Sequence, residues 1–492
     1  MELQFSELRP PRLVVQASSQ ALVEGELPLP EGRQGAEVLC ADSSVVLASA
    51  AVGEGAVTVE GRVHVELICR EGDEVFAFSS NAAFRHSFPA EGAKEGMGAE
   101  AHAVLQSFTV EQSAALTVSA ILDVECTVLK QEPLRVLSGI KGAEDLECKE
   151  EQVETVGTRV LGRESVRIRE EISAPNAAAV LCASGVCQVR DVQVGGDTAI
   201  SEGTLTVTAL CVGADGKLFQ LVQHVPVTLE TALDEIGEDT AGAFSLAQVE
   251  AVSLAPMGDS GIMSVEACIT VQVEAPRAET AVLPLAAYVP SLPLACTHEQ
   301  VQLLAKGAPV RFRYGASETL NIPEGMPECS RVVYSTGRAV VTSVSLGDGR
   351  LTVEGLLFTR VLYQTEGNIL YAFTEDIPFY CETAAPGPFN EARAEVCVAS
   401  ASASGAGRSV GFTYTLLISA QPYAILPRSV VTGMEEAERE PVPRGVVIYF
   451  AGAGETLFDV GCRFNLSRRR LLETNPGLGE TLGDGQKIVL MV

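Results

Sequence analysis

There is no tryptophan in this 492-residue chain, and aromatic residues make up only 5% of it. Any site that stacks sugar faces would therefore work without the strongest stacking side chain. Basic residues are scarce, with Lys+Arg 35 against Asp+Glu 64 and a net charge of −29. Phosphate backbones are bound by clustered cations, so a nucleic-acid partner is excluded, as is a polybasic membrane patch. The acidity reads as solubility or as attraction to a basic partner. Only five histidines are present, and His64, His86, His102, His224 and His298 show no ligand spacing, so no metal site is expected. None of the 13 cysteines forms a Cys-x-x-Cys pair, and the closest two are Cys182 and Cys187. They read as reduced, buried, small apolar residues. No apolar run approaches the ~18 residues of a spanning helix, so no transmembrane segment is expected. Met1 to Glu7 lacks the basic start and apolar core of a signal peptide, which predicts a cytoplasmic protein. No Gly-x-Ser-x-Gly, Walker loop, dinucleotide fingerprint or His-Glu-x-x-His occurs, so neither an enzyme nor a cofactor is expected.

What the chain does contain is a threefold repeat. Glu60-Gly61, Glu202-Gly203 and Glu354-Gly355 each sit in an alternating apolar run, with the glycines 142 and 152 residues apart. Leu39-Cys40, Leu181-Cys182 and Val333-Tyr334 end 21 residues before the respective glycine, and Cys69, Cys211 and Tyr363 follow it by 8. A turn comes next each time (Glu71-Gly72-Asp73, Ala214-Asp215-Gly216, Glu366-Gly367-Asn368). An aromatic strand then follows in Phe76-Ala77-Phe78, Leu218-Phe219 and Tyr371-Ala372-Phe373. Two strands around a Gly-containing turn make a hairpin. Each unit closes with an apolar strand, Leu116 to Val128, Met263 to Val273 and Val410 to Leu417. Cys exchanging with Tyr at matched positions marks filled volume rather than chemistry. The three glutamates, one per unit and without a partner acid, read as a solvated strand edge. The glycines read as sites of a β-bulge or of close backbone approach.

The pattern is period two with Gly, Pro and Asp turns, which predicts a mainly β chain of three tandem antiparallel β-sandwich-like repeats. The boundaries read as 1–145, 146–292 and 293–432. Ala232 to Glu235 and Gln300 to Ala305 are candidate short helices. Met434 to Pro443 lies in an acidic, proline-ended linker, 433–444, that tethers residues 445–492 rather than docking them.

That last segment predicts a small α+β (βααβ) module. Val446, Ile448 and Phe450 alternate with Val447, Tyr449 and Ala451 as a strand would. Thr456 is placed to N-cap a helix, with Asp459 completing an acidic capping box. Leu457, Val460 and Phe464 share one helical face. Ser467 caps a second helix carrying Leu471 and Leu472, with Leu472 and Leu457 read as the core residues of the module, and Asn475-Pro476 ends it. Ile488 to Val492 is a final strand.

Tyr449-Phe450, Gly454-Glu455-Thr456-Leu457-Phe458, Leu471 to Pro476 and Leu482-Gly483-Asp484-Gly485 resemble a LysM domain. Val59-Glu60-Gly61 with Phe76-Ala77-Phe78, and Val353-Glu354-Gly355 with Tyr371-Ala372-Phe373, make the preceding units similar to the SPOCS-domain spore coat proteins of endospore-forming Clostridia. The second unit, with Ser201-Glu202-Gly203 and Leu218-Phe219-Gln220, departs from that motif. The resemblance implies a coat-assembly scaffold or adaptor in the mother-cell cytoplasm, at the forespore surface. It also implies that the LysM region binds the morphogenetic ATPase of the coat basement layer. The alternative it offers is peptidoglycan, held as an N-acetylglucosamine glycan between the loops Ala451 to Leu457 and Asn475 to Gly479, with Gly454, Glu455, Thr456, Leu457, Phe458, Asn475, Pro476 and Gly477 as the binding residues. Glu455 in place of Asp, Phe458 in place of Trp and the absence of a closing Pro depart from the glycan-binding pattern. Arg468-Arg469-Arg470 is the densest positive patch. It reads either as a solvated face paired with Glu473 or as a contact for an acidic partner, since cations at a helix N-terminus cost about 0.3–1 kcal/mol each.

Overall fold

The computed structural model describes residues 2–492 except 34, 113–115, 131, 144, 235–239, 259–260, 439–441 and 443. Strands hold 75% of the residues and helices 3%. The first unit comprises β1 (Glu2–Leu8), β2 (Arg12–Leu27), β3 (Glu37–Gly53), β4 (Ala56–Glu71), β5 (Glu74–Pro89), β6 (Gly98–Gln112), β7 (Leu116–Lys130) and β8 (Leu134–Lys141). The second comprises β9 (Glu147–Ser173), β10 (Ala177–Gly195), β11 (Thr198–Gly213), β12 (Leu218–Ala232), β13 (Phe244–Pro256) and β14 (Ile262–Tyr288). The third comprises β15 (Leu294–Lys306), β16 (Val310–Asn321), β17 (Arg331–Gly347), β18 (Arg350–Gln364), β19 (Leu370–Ala384), β20 (Glu391–Ser404) and β21 (Ser409–Glu436).

All three units repeat one topology. One sheet is a meander, β3-β4-β5, β10-β11-β12 or β17-β18-β19. The other has the closing strand in its middle, as β2-β7-β6, β9-β14-β13 and β16-β21-β20. Alternating inward residues of the two sheets fill a separate core in each unit. The closing strands explain the pattern: Leu116, Val118, Ala120, Leu122, Val124 and Cys126 are all buried at period two.

The repeated Glu-Gly anchors have a physical cause. Strand β3 bulges between Leu47 and Ser49 opposite Gly61, β10 between Val189 and Asp191 opposite Gly203, and β17 between Val341 and Ser343 opposite Gly355. A Cβ on Gly61 would lie 2.5 Å from the Val46 carbonyl and 2.8 Å from the Phe84 ring. On Gly203 it would lie 2.5 Å from the Gln188 carbonyl, and on Gly355 it would collide with the Val340 carbonyl and the Phe379 ring. Only glycine lets the bulged backbone approach this closely. The adjoining Glu60, Glu202 and Glu354 are exposed.

Beyond each sandwich the chain continues into a two-stranded ribbon. Strand β1 pairs with β8, the first part of β9 with the last part of β14, and β15 with the last part of β21. The three ribbons pack on one another in two shared cores. One contains Val136, Val153, Leu283, Val301 and Val430, and the other Ile140, Ala287, Val431 and Met434. A third shared core joins the meanders, where Cys40 and Ile68 meet Leu210, Val333, Tyr334 and Leu362. The second sequence anchor, Leu39-Cys40, Leu181-Cys182 and Val333-Tyr334, thus converges from all three units on one place. Each unit touches both others, so the repeats close into a pseudo-threefold ring rather than an extended scaffold.

A polar layer lies beside this junction. Arg360 pairs with Asp42, and the Thr336 hydroxyl donates to the other Asp42 oxygen at 3.3 Å. The Gln220 amide donates to the Ser335 carbonyl at 3.0 Å and accepts from the Ser335 N–H at 3.1 Å. Burial and the nearby Asp42 charge hold the Glu66 carboxyl above the usual range.

Three expectations are corrected. Gln300 to Ala305 is strand, because Val301 and Leu303 alternate inward into the ribbon core. Ala232 ends β12, and Glu235 lies outside the described residues. Met434 to Glu436 belong to β21, with Met434 buried, so the supposed linker has an apolar anchor; its stretch 439–441 and residue 443 lie outside the described residues. Among the described residues, no helix is long and apolar enough to cross a membrane.

Candidate functional site

Residues 446–491 form a fourth, small unit from β22 (Val446–Phe450), α1 (Leu457–Phe464), α2 (Arg468–Thr474) and β23 (Lys487–Met491). The two strands pair antiparallel, from Val446 with Met491 to Phe450 with Lys487. Thr456 caps α1 as expected: its hydroxyl accepts from the Asp459 N–H at 3.2 Å, and Asp459 accepts from the Thr456 N–H at 3.0 Å. Burial opposes ionisation of Asp459, but the Thr456 hydroxyl and amide outweigh it and hold the carboxyl below its usual range. Ser467 caps α2 by accepting from the Arg470 N–H at 3.3 Å. Leu457, Val460, Leu466, Leu471, Ile488 and Leu490 fill the core. Leu471 is buried but Leu472 is 37% exposed. Leu472 is therefore not the core residue, since the helical phase turns its neighbour inward instead.

The candidate groove residues have mostly internal duties. Glu455 accepts from the Tyr449 hydroxyl at 2.8 Å and from the Gly452 N–H at 3.0 Å, and pairs with Arg463 at 3.0 Å. Asn475 is a clamp: its amide donates to the Leu471 and Val489 carbonyls at 2.9 and 2.8 Å, and its oxygen accepts from the Val489 N–H at 2.7 Å. The loop before α1 is bonded to Glu480–Leu482, through Leu457 N–H to the Glu480 carbonyl and Leu482 N–H to the Glu455 carbonyl. Gly454, Pro476 and Gly477 remain exposed, while Leu457 and Phe458 are buried.

This unit is docked, which corrects the tether expectation. Phe458 packs edge-on against Tyr288 at the end of β14, with ring centroids 5.1 Å apart. The Tyr288 hydroxyl donates to the Leu466 carbonyl at 2.9 Å, and burial drives its pKa upward. Gly461 leaves the room this needs, because a Cβ there would strike the Tyr288 hydroxyl. At the start of β9, Glu147 accepts from the Arg468 N–H at 2.9 Å and Lys149 lies 3.7 Å from Asp459. The arginine triplet is therefore divided. Arg468 borders the dock and pairs with Glu480 at 2.9 Å, and Arg469 pairs with Glu473 at 2.9 Å, four residues on. Arg470 has no ion pair among the described residues.

Two features escaped the sequence reading. Tyr288, a lone tyrosine at the end of an apolar run, gives no signal that it receives another unit. The junction of the three β units also opens a polar cleft of about 540 Å³, in which Lys306 holds Glu100 at 2.7 Å and His102 faces Glu395 at 2.8 Å. Its charges mostly satisfy one another. Three of the buried thiols are poorly suited to chemistry, since burial pushes Cys69, Cys187 and Cys211 up to about 11. Among the described residues no group of three or more His, Cys, Asp or Glu could hold a metal.

Residues 328–404 match a family model described as SipL, SPOCS domain. The matched segment is the third meander, β17 to β19, with β20 and the connections between them. It suggests a sporulation-related protein similar to SipL. No curated protein matches the chain. No solved structure matches it.

Proposed function

We propose that this chain is a non-enzymatic scaffold or adaptor in endospore coat assembly. It acts in the mother-cell cytoplasm at the forespore surface and docks through its C-terminal LysM-like unit onto the ATPase of the coat basement layer. The observation that carries this is the SPOCS-domain match at 328–404. The first two units, about 1–145 and 146–292, repeat the sheet order of the third, about 293–432, which supports reading all three as SPOCS-like. Within the C-terminal unit the commitments of Glu455 and Asn475 leave few free polar groups to hold a glycan, which favours a protein partner over peptidoglycan.

The test is co-purification with the basement-layer ATPase, using the intact chain and a chain ending at Val442. Retention by the intact chain only, undiminished by added peptidoglycan, is the expected result. Competition by peptidoglycan would instead select the glycan reading. Retention by both chains would move the contact to the β ring.

A further inference from the structure

Resting on the reading that the C-terminal unit binds a protein, we propose that it does so through the outer face of its two-stranded sheet. The surface that face receives is an apolar ridge bracketed by carboxylates. Part of the rest of the unit is already engaged, against the ring or within the unit itself. Helix α1 lies against Tyr288, the start of α2 is held by Glu147, and the loop before α1 is bonded to Glu480–Leu482. The inner face of the sheet, Val447, Tyr449, Ile488 and Leu490, covers the small core.

The outer face has no such cover. Side chains directly opposed across an antiparallel pair share a face, so Val446 lies beside Met491, Ile448 beside Val489 and Phe450 beside Lys487. Val446 is 71% exposed, Ile448 53%, Phe450 62% and Met491 50%. Elsewhere the large exposed apolar residues stand singly, as Leu246 and Ile369 do, or in a pair, as Leu22 does opposite Ile121, which is ordinary for a protein surface. A contiguous apolar patch marks an interaction site. Its charge selects the occupant. Lys487 stands at one end, and Arg444 precedes the strand at the other. Both are exposed and neither has an ion pair among the described residues, in a chain where acids outnumber bases 64 to 35. Such an end-to-end cationic frame complements carboxylates flanking an apolar partner surface. An anionic membrane fits less well, since two cations fall short of the roughly 4–8 that hold a basic segment on a bilayer.

The experiment uses the full chain and the purified basement-layer ATPase. Ile448→Asp and Phe450→Glu are expected to weaken binding at least tenfold, and Lys487→Glu several-fold with a smaller salt dependence. Leu22→Asp, at an exposed apolar site on the ring, is expected to bind as the parent chain does. Ile448 and Phe450 are exposed, so circular dichroism should be unchanged. Lys487→Glu tests the face independently of any apolar substitution. Parental binding by all three face variants would overturn this proposal alone, whereas no binding by the unaltered chain would overturn the functional reading with it. Capture of phosphatidylserine vesicles lost in Ile448→Asp would overturn the protein partner in favour of a membrane. A dimer in sedimentation lost in the same variant would assign the face to a second copy.

Discussion

The β ring and the C-terminal unit spend their apolar residues differently. Each ring unit fills its own sandwich and then contributes further apolar side chains to three cores shared with its neighbours. The C-terminal unit has one small core and leaves a sheet face open to solvent. Shared cores make the ring a closed body, whose exposed apolar residues, such as Leu22, Leu246 and Ile369, are scattered over its surface. The open face makes the small unit the part still able to bury something. Size explains part of the contrast, because a unit of under 50 residues covers a smaller fraction of its surface. It does not explain why the uncovered face is a continuous apolar stripe.

The strongest way to break the comparison is at the anchor glycines. Gly355→Val would drive a side chain into the Val340 carbonyl and the Phe379 ring. It should cost about 3–5 kcal/mol, read as a lower urea midpoint for the ring. Gly454→Ala in the C-terminal unit meets open space and only a positive φ of 77°, so about 1–2 kcal/mol is expected. Equal losses would mean that the bulge contacts are not what the glycines serve.

These anchors were also the most legible part of the fold. A glycine demanded by a bulge recurs at a fixed offset, and so does the strand pair around it. Closure of the ring was not legible. Leu39, Leu181 and Val333 alternate as any strand residue does, and nothing local says that three such positions meet. Long strands that leave a sandwich and enter a ribbon were equally hidden. Strand β14 marks the passage only by a register shift between Val273 and Glu274. Gln300 to Ala305 looked helical because Gln, Leu and Ala suit helices, and tertiary packing overrode that propensity. In the C-terminal unit the caps at Thr456 and Ser467 were readable from residue type alone. The dock was not, since it depends on Tyr288, which stands 178 residues before its partner Leu466 in the chain.

Next in size is the core of the small unit. Leu471→Ala should cost about 2–5 kcal/mol, enough to release that unit alone in hydrogen exchange while the ring stays protected. Leu472→Ala, on the outer side of the same helix, should cost under about 1 kcal/mol. Loss of ring protection with Leu471→Ala would show that the dock makes ring and unit one cooperative body.

A smaller effect is expected at the seam between the first and third ring units. Arg360 is largely buried and its partner Asp42 is 30% exposed, so Arg360→Ala should cost about 2–3 kcal/mol, below the range for a fully buried pair. Because the pair joins two units, its loss should separate one urea transition into two. A single transition with an unchanged midpoint would leave the shared apolar cores as the whole of the closure.

The smallest effect is one of sign, and it separates ring from module without removing any contact. Burial and the Asp42 charge raise the Glu66 carboxyl. Its folded form binds a proton more readily than the unfolded chain does, so the stability it contributes is complete below the ordinary carboxylate range and is lost as pH rises through the raised value. Asp459 is lowered through its bonds to Thr456. Its contribution is present above the ordinary carboxylate range and is lost as pH falls through the lowered value. Acidification should therefore weaken the first helical cap of the small unit while relieving the strained carboxylate in the ring. Glu66→Gln should flatten the ring's pH response above the ordinary range, and Asp459→Asn should flatten the module's below it. Site-resolved hydrogen exchange across pH 3 to 8 reads both regions in one sample. Parallel responses of the two would mean that neither carboxylate governs its region, and that the dock at Tyr288 carries one common titration through both.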